Sequence, residues 1–413
     1  MKAIRVDNAA PGRHSPRVHP VQAAFAAALD AELADLEARG LRRRLRQLDG
    51  PPDREVTIDG RGVLLLSSNN YLGLATHPAL RRAAHEAIDR WGCGTGSSRL
   101  IAGHSALHAA VERQLARLKG TEAAVLCPSG YQANAAAIGA LVGRGDHVFS
   151  DALNHASIID GCRLSRADVH VFPHRDLDTL ERMLAGTPRA GRRLVVTDSV
   201  FSMDGDCAPL DALVTLAERY HSLVMVDEAH ATGAVGPRGA GLAAAAGLTE
   251  RIAVHMGTLG KALGGAGAYV AGSRALVDLI VNRGRAFVFT TGLAPAATAA
   301  AGAALEVCER EPERRERLQA NARRLRSGLR ALGLRAEGDT HIIPVLLGDN
   351  RLAVAFGEAL LARGVLVQPI RPPTVPPGTA RLRVTPMATH TDDDLERTLA
   401  AFAAAGRASG ALP

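Results

Sequence analysis

The sequence predicts an α/β protein with a large, mostly parallel sheet domain and a smaller C-terminal α+β domain. Three observations carry that expectation. Between about residues 67 and 295, short apolar runs alternate with segments of helix length, the pattern of a sheet covered on both faces. After about residue 300 this gives way to a long helical pattern followed by three strand-like runs. The 413 residues, 47% of them hydrophobic, supply apolar surface for more than one core.

Taken in order, residues 1–20 are largely polar, hold three prolines and are expected to be disordered. "VQAAFAAALDAELADLEARGLRRRLRQL" (21–48) predicts a helix ending in a basic cluster. "REVTIDGRGVLLLSS" (54–68) predicts two short strands around an Asp59-Gly60 turn. Five apolar runs then predict sheet strands: "AAVLCPS" (123–129), "HVFSD" (147–151), "VHVFPH" (169–174), "RLVVTDSV" (193–200) and "SLVMVDEAH" (222–230). Residues 310–334 place Leu318, Leu325, Leu329 and Leu332 at the spacing of an amphipathic helix with a solvated basic face. "HIIPVLLGD", "VLVQPIRPP" and "ARLRVTP" complete the C-terminal unit. The expected organisation is an N-terminal arm with short strands (1–66), a large domain (67–295) and a small domain (296–413).

Composition excludes several classes. Aromatic residues make up 3% of the chain, too few for a base-stacking surface. The net charge of +7 suits a phosphate-bearing cofactor or a coenzyme A thioester, and no nucleic-acid partner is expected. Cys93, Cys127, Cys162, Cys207 and Cys308 are widely spaced, with no C-x-x-C pair, so neither a metal site nor a disulfide framework is expected. With no apolar core of signal-peptide length and no membrane-spanning run, a soluble cytoplasmic protein is the expectation.

"VMVDEAHATG" spells the DEAH box of a helicase. A phosphate-cradling G-x-x-x-x-G-K-[ST] loop should then precede it, but the only Gly-Lys comes 31 residues after His230 and is followed by Ala262. Glycines 92, 94 and 96 have neither the spacing nor the preceding strand of a dinucleotide loop, and read as a turn. The alternative for Asp227 is a ligand-binding carboxylate at the C-terminal end of a strand. Lys261 follows 34 residues on, in the glycine-rich "GTLGKALGGAGAYV". Among 49 Lys and Arg residues only Lys2, Lys119 and Lys261 are lysine, so a surface lysine at 261 would be expected as arginine. A primary amine condenses with an aldehyde to a Schiff base, which a guanidinium does not. Lys261 therefore reads as a nucleophilic amine and Asp227 as the partner of a protonated pyridine nitrogen.

The span from about 42 to 400 resembles the α-oxoamine synthases, fold-type I pyridoxal-phosphate enzymes that join an amino acid to an acyl-CoA with loss of carbon dioxide. The resemblance rests on "SSNNYLGLATHP", "GTGSSRLIAGHSALHAAVE", "SGYQANAAAIGAL", "NHASIIDG", "DSVFSMDGDCAPL", "VDEAHATGAVG" and "GTLGKALGGAGAYV". Within the family, "IRPPTVPPGTARLRVTPMATHT" looks most like the member that takes L-alanine and a pimeloyl thioester, carried by coenzyme A or by an acyl carrier protein. A sister synthase using glycine and another acyl-CoA is the rival.

The resemblance implies pyridoxal 5'-phosphate as cofactor, held by Lys261 and the ring-nitrogen partner Asp227, with Lys261 also serving as base for the α-proton. It implies that His155 stacks on the ring and that His230 bonds the ring hydroxyl. Ser202 and Thr258 contact the cofactor, and the helix opening at Gly130 and Tyr131 seats the phosphate. Arg371 pairs with the amino-acid carboxylate, Arg42 and Thr374 meet the acyl substrate, and Asn69 stands at the entry. A homodimer is implied by the same analogy, with Thr290 and Thr291 reaching the neighbour's phosphate. The chain departs from some relatives in having Asp198 for Glu and Tyr131 for Phe.

Overall fold

A two-residue turn organises the first strands. Asp59 (φ 49°) and Gly60 (φ 74°) both adopt left-handed backbone, which matches the twist of an antiparallel hairpin. The hairpin joins β1 (Glu55–Ile58) to β2 (Arg61–Leu65), with Ile58 opposite Arg61. β2 also pairs in parallel with β11 (Val365–Leu366), so the two ends of the sequence share one small sheet. Leu64 and Leu66 are buried with Leu325, Val345, Phe356 and Leu395 in a common core.

The computed structural model describes residues 19–412. The chain forms two compact units, one ending at Leu45 and one beginning at Arg46. In the first, the helix Pro20–Ala38 is capped by the His19 side chain and buries none of its residues. It was expected to run on through the arginines to residue 48. It stops at Ala38, because Gly40 turns left-handed (φ 64°) and the amide of Leu41 returns to the Leu36 carbonyl. Residues 1–18, expected to be disordered, lie outside the described residues.

In the second unit a seven-stranded sheet contains all five predicted strands: β3 (Ala123–Cys127), β4 (His147–Asp151), β5 (Asp168–Phe172), β6 (Arg193–Asp198) and β7 (Leu223–Asp227). Two more strands flank the glycine-rich loop that carries Lys261: β8 (Val254–Thr258) and β9 (Ala268–Gly272). Gly257 sits inside β8 because a side chain there would run within 2.5 Å of the Tyr269 hydroxyl. The order is β3-β9-β8-β7-β6-β4-β5, parallel from β8 to β5, with β9 antiparallel to both neighbours. From β4 the chain moves outward to β5, then returns to the other side of β4 with β6. That reversal opens a crevice at the strands' C-terminal ends. Asp151, Asp198, Asp227 and Thr258 close β4, β6, β7 and β8 at this edge.

A second three-stranded sheet, antiparallel in the order β10-β13-β12, comprises β10 (Ile343–Gly348), β12 (Gln368–Ile370) and β13 (Ala380–Val384). The amphipathic helix Glu313–Ala331 buries Leu318, Leu325 and Leu329 as its spacing predicted, while Leu332, expected in the same stripe, is the half-buried C-cap residue. Among the described residues no helix is long and apolar enough to cross a membrane.

Candidate active site

Asp227 ends β7 in the crevice, 3% exposed, with both oxygens engaged. Its Oδ1 accepts from the Ala229 amide at 2.8 Å and its Oδ2 from Asn134 Nδ2 at 2.8 Å. Asn134, buried on the helix Gly130–Leu141, also bonds Ser157 Oγ at 2.8 Å. The carboxylate is thus fixed in direction by two donors from different elements.

Lys261 lies in the loop between β8 and β9. Burial lowers its pKa to about 8, against the opposing pull of Asp227 and Asp198. Its Nζ lies 2.8 Å from His230 Nε2. His230 Nδ1 is 2.7 Å from the Tyr71 hydroxyl, which donates to Asn69 Oδ1 at 2.9 Å. With the Tyr71 proton given to Asn69, His230 must donate from Nδ1, leaving Nε2 to accept from Lys261. Burial and then the charges of Lys261 and Arg383 hold His230 well below its ordinary pKa, so the ring is neutral. Arg383 on β13 closes the chain of contacts, donating to Asn69 Oδ1 (3.1 Å), the Tyr71 hydroxyl (3.2 Å) and the Ser202 carbonyl (2.5 Å).

His155 caps the helix Ala156–Ser165, and its backbone amide donates to Asp198 Oδ2 at 2.8 Å. Burial lowers the His155 pKa, with Asp227 pulling it up and Lys261 down. Burial and the neighbouring Asp227 raise the carboxyl of Asp198 well above the usual range. Asp198 and His155 share with Ser202 and Thr374 a cavity of about 720 Å³ whose walls include Leu153, Ile159, Phe201, Met203 and residues 372–377. Thr258 Oγ1 donates to the Gly267 carbonyl (3.0 Å) and accepts from the Gly260 amide (3.2 Å), shaping the Lys261 loop.

Gly130 and Tyr131 form the first turn of the helix Gly130–Leu141, where backbone amides lack partners within the helix. The Tyr131 hydroxyl, which a Phe at this position would lack, donates to Asp160. Arg371 is buried at the end of β12, and its carbonyl accepts from the Thr374 amide at 3.1 Å. Thr290 accepts from Gln132 Nε2 at 3.1 Å, beside the same helix start, and Thr291 bridges to Ser98. Arg42 lies in the first unit, 3.6 Å from Glu37. Among the described residues no group of His, Cys, Asp or Glu could hold a metal ion.

Sequence reasoning missed Asn134, Tyr71 and Arg383. The first two are ordinary residues in helical and loop patterns. Arg383 did leave a trace: "ARLRV" puts Arg381 and Arg383 on one face of a wholly buried strand. Two arginines at alternate buried positions need polar partners.

The model of the aminotransferase class I and II family matches residues 61–402. The chain belongs to that family. It is 54% identical to an 8-amino-7-oxononanoate synthase of Geobacter sulfurreducens, over 92% of this chain and 98% of the relative. Among solved structures, a Sphingomonas wittichii serine palmitoyltransferase matches with TM-score 0.90 and 35% identity, over 94% of this chain and 98% of that one. An 8-amino-7-oxononanoate synthase of Francisella tularensis matches with TM-score 0.71 and 27% identity, over 83% and 97%. The resemblance to α-oxoamine synthases therefore holds, and with it the fold-type I architecture. The protein is an acyltransferase, and pyridoxal 5'-phosphate is its cofactor. The donor set fits that group: a half-buried amine of lowered pKa for an aldehyde, a fixed carboxylate for a pyridine nitrogen, and a helix start for a phosphate.

Proposed function

We propose that this protein condenses L-alanine with a pimeloyl thioester, releasing carbon dioxide and giving 8-amino-7-oxononanoate for biotin synthesis. The carrying observation is the 54% identity to a relative of that name across 98% of its length. In this reading Lys261, Asp227, His155, His230, Ser202 and Thr258, with the helix start at Gly130 and Tyr131, hold the cofactor. When bound, the cofactor supplies an electron sink next to the amino acid's α-carbon.

The side chains do the rest. Lys261 Nζ, with a pKa of about 8, can hold or release a proton near neutral pH, as a base for the α-proton must. The neutral His230 accepts from Nζ and keeps the amine directed. Asp227 stays aligned because Asn134 and the Ala229 amide leave its carboxylate one orientation. Arg371 pairs with the alanine carboxylate, and Asn69 lies at the entry. His155, Thr374 and the apolar wall around Phe201 and Met203 receive the acyl chain. The reading includes a large domain (67–295) carrying the cofactor residues, a small domain (296–413) carrying Arg371 and Thr374, and a homodimer working in the cytoplasm. The acyl donor is a coenzyme A or carrier-protein thioester.

The likeness to serine palmitoyltransferase at TM-score 0.90 supports a second reading, a sister synthase that pairs another amino acid with another acyl thioester. A product assay separates the two. Purified protein is offered pimeloyl, acetyl and palmitoyl thioesters, each with alanine, glycine and serine. The pimeloyl–alanine pair should give the highest kcat/KM, and faster turnover of any other pair overturns the first reading.

A further inference from the structure

His174 belongs to none of the motifs that carry the chemistry, yet it stands between two aspartates at the crevice edge. Its Nδ1 donates to the Asp151 carboxylate (3.0 and 3.2 Å) and its Nε2 to Asp206 Oδ2 (2.9 Å). An imidazole donates from both nitrogens only when protonated. The ring meets Phe201 edge-on, with centroids 4.3 Å apart.

Each aspartate governs a loop. Asp151 Oδ1 accepts the Leu153 amide at 2.8 Å, at the start of the turn that delivers Asn154 and His155. Asn154 then spans to the Val196 carbonyl and receives the Asp198 amide. Asp206 lies in the other loop, where its carbonyl accepts the Phe201 amide at 3.0 Å, and Ser202 follows Phe201. On its far side this loop is held by Arg381, which donates to Asp204 at 2.5 Å. Leu153, Asn154, His155, Phe201, Ser202 and Asp204 all line the 720 Å³ cavity.

We propose that His174 is a positioning residue: a protonated imidazole that pins the loops 152–155 and 199–207 together, so that His155 and Ser202 face one cavity. The proposal rests on the reading of those two residues as site residues. The other cation at the cluster is Arg175, which donates from its backbone amide to Asp151 (2.9 Å) and from its guanidinium to Asp206 (3.0 Å). Burial pushes the Cys207 thiol up to about 11, with Asp339 and Asp206 adding to the rise, so it stays neutral where the imidazole titrates. Burial works against the His174 charge, but its bonds to Asp151 and Asp206 outweigh that and lift its pKa to about 9. Because the folded value is raised, the pin is complete at neutral pH and is lost as pH rises through about 9.

The test uses the holoenzyme, His174→Gln and Asp206→Asn. KM for the acyl thioester is measured from about pH 7 to about pH 10 with whichever substrate pair the protein turns over. The visible circular dichroism of the bound cofactor is followed over the same range without substrate. In the parent, KM and the dichroic band should change together with a midpoint near 9. His174→Gln should show KM raised about ten-fold at neutral pH and no alkaline step, since misplaced loops cost binding and there is no proton to lose. Asp206→Asn, lacking one of the two anions, should move the midpoint down. An unchanged midpoint in Asp206→Asn overturns the proposal, as does a parent-like KM with the alkaline step retained in His174→Gln. If His174→Gln does not fold, the Asp206→Asn midpoint decides alone. A wrong substrate assignment changes which pair is turned over but leaves the dichroic titration intact, so the two failures are distinguishable.

Discussion

Two of the chain's three lysines, Lys119 buried and Lys261 half-buried, have partners only two residues apart, Glu228 and His230, and they have opposite fates. Lys119 Nζ donates to Glu228 and to the Ala240 carbonyl. Burial pulls its pKa down, but Tyr269 and Glu228 outweigh that and it ends above its ordinary value. Glu228 falls to about 2: burial pushes it up, and Lys119, His255 and the Ala243 amide pull it further down. One residue earlier, Asp227 directs its oxygens to Asn134 and Ala229 rather than to a lysine. Lys261 therefore meets a neutral imidazole in place of a carboxylate, and burial takes its pKa down to about 8. The difference teaches that burial alone does not make a reactive amine. A contacting carboxylate turns the same side chain into a structural cation.

The sharpest break of this comparison is Lys261→Arg. Charge is kept and the nucleophilic amine lost, so the variant should fold and turn over negligibly; near-normal turnover would falsify the assignment. Next comes Asp227→Asn, whose amide cannot hold a pyridine nitrogen protonated. A loss on the order of 10³-fold, about 4 kcal/mol in the barrier, is expected. Alanine α-proton exchange followed by NMR reads this directly, and a parent-like rate would remove the role from Asp227.

On the other lysine the damage should be to folding. Lys119→Met leaves the buried Glu228 without its lysine, with the Ala243 amide and His255 still facing it, at a cost of about 3–5 kcal/mol in urea denaturation. Adding Glu228→Gln should recover much of it. If Lys119→Met instead abolishes turnover while the unfolding midpoint stays put, the two lysines have been assigned the wrong way round.

Arg371→Lys should weaken alanine binding by roughly 1.5–3 kcal/mol, or about ten- to hundred-fold, through loss of the planar fork. Titrating alanine against the cofactor's absorbance band measures it. Arg383→Lys makes the informative partner, because Arg383 already donates to Asn69 and Tyr71 beside Lys261. A larger loss there than at Arg371 would transfer the carboxylate role to Arg383. The mildest test is chemical. In the cofactor-free protein, acylation of Lys261 by a small reagent, located by mass spectrometry, should slow about ten-fold per pH unit below pH 8. Lys119 should stay unlabelled throughout.

Much of this molecule was legible from short-range signals. The Asp59-Gly60 turn, the five strands β3 to β7, the stripe of Leu318, Leu325 and Leu329, and the carboxylate closing β7 all follow from local periodicity and turn chemistry. So did the peculiarity of Lys261, because an arginine-rich chain placed a lysine among glycines. Contacts between distant segments were not legible. β8 and β9 escaped because the glycines inside them mimic a loop: Gly257 makes room for Tyr269, and Gly272 for Leu276 and the Ala253 carbonyl. Asn134 stands 93 residues from Asp227, and Arg383 stands 312 from Tyr71. Composition flagged Lys119 as strongly as Lys261. The amino-acid sequence by itself determined which chemical groups the chain possesses and which elements carry them, since helix, strand and turn depend on neighbours along the backbone. Only the tertiary structure decided which lysine meets a carboxylate and which a neutral histidine, because a buried group's charge state is set by whatever the fold brings to within about 3–4 Å of it.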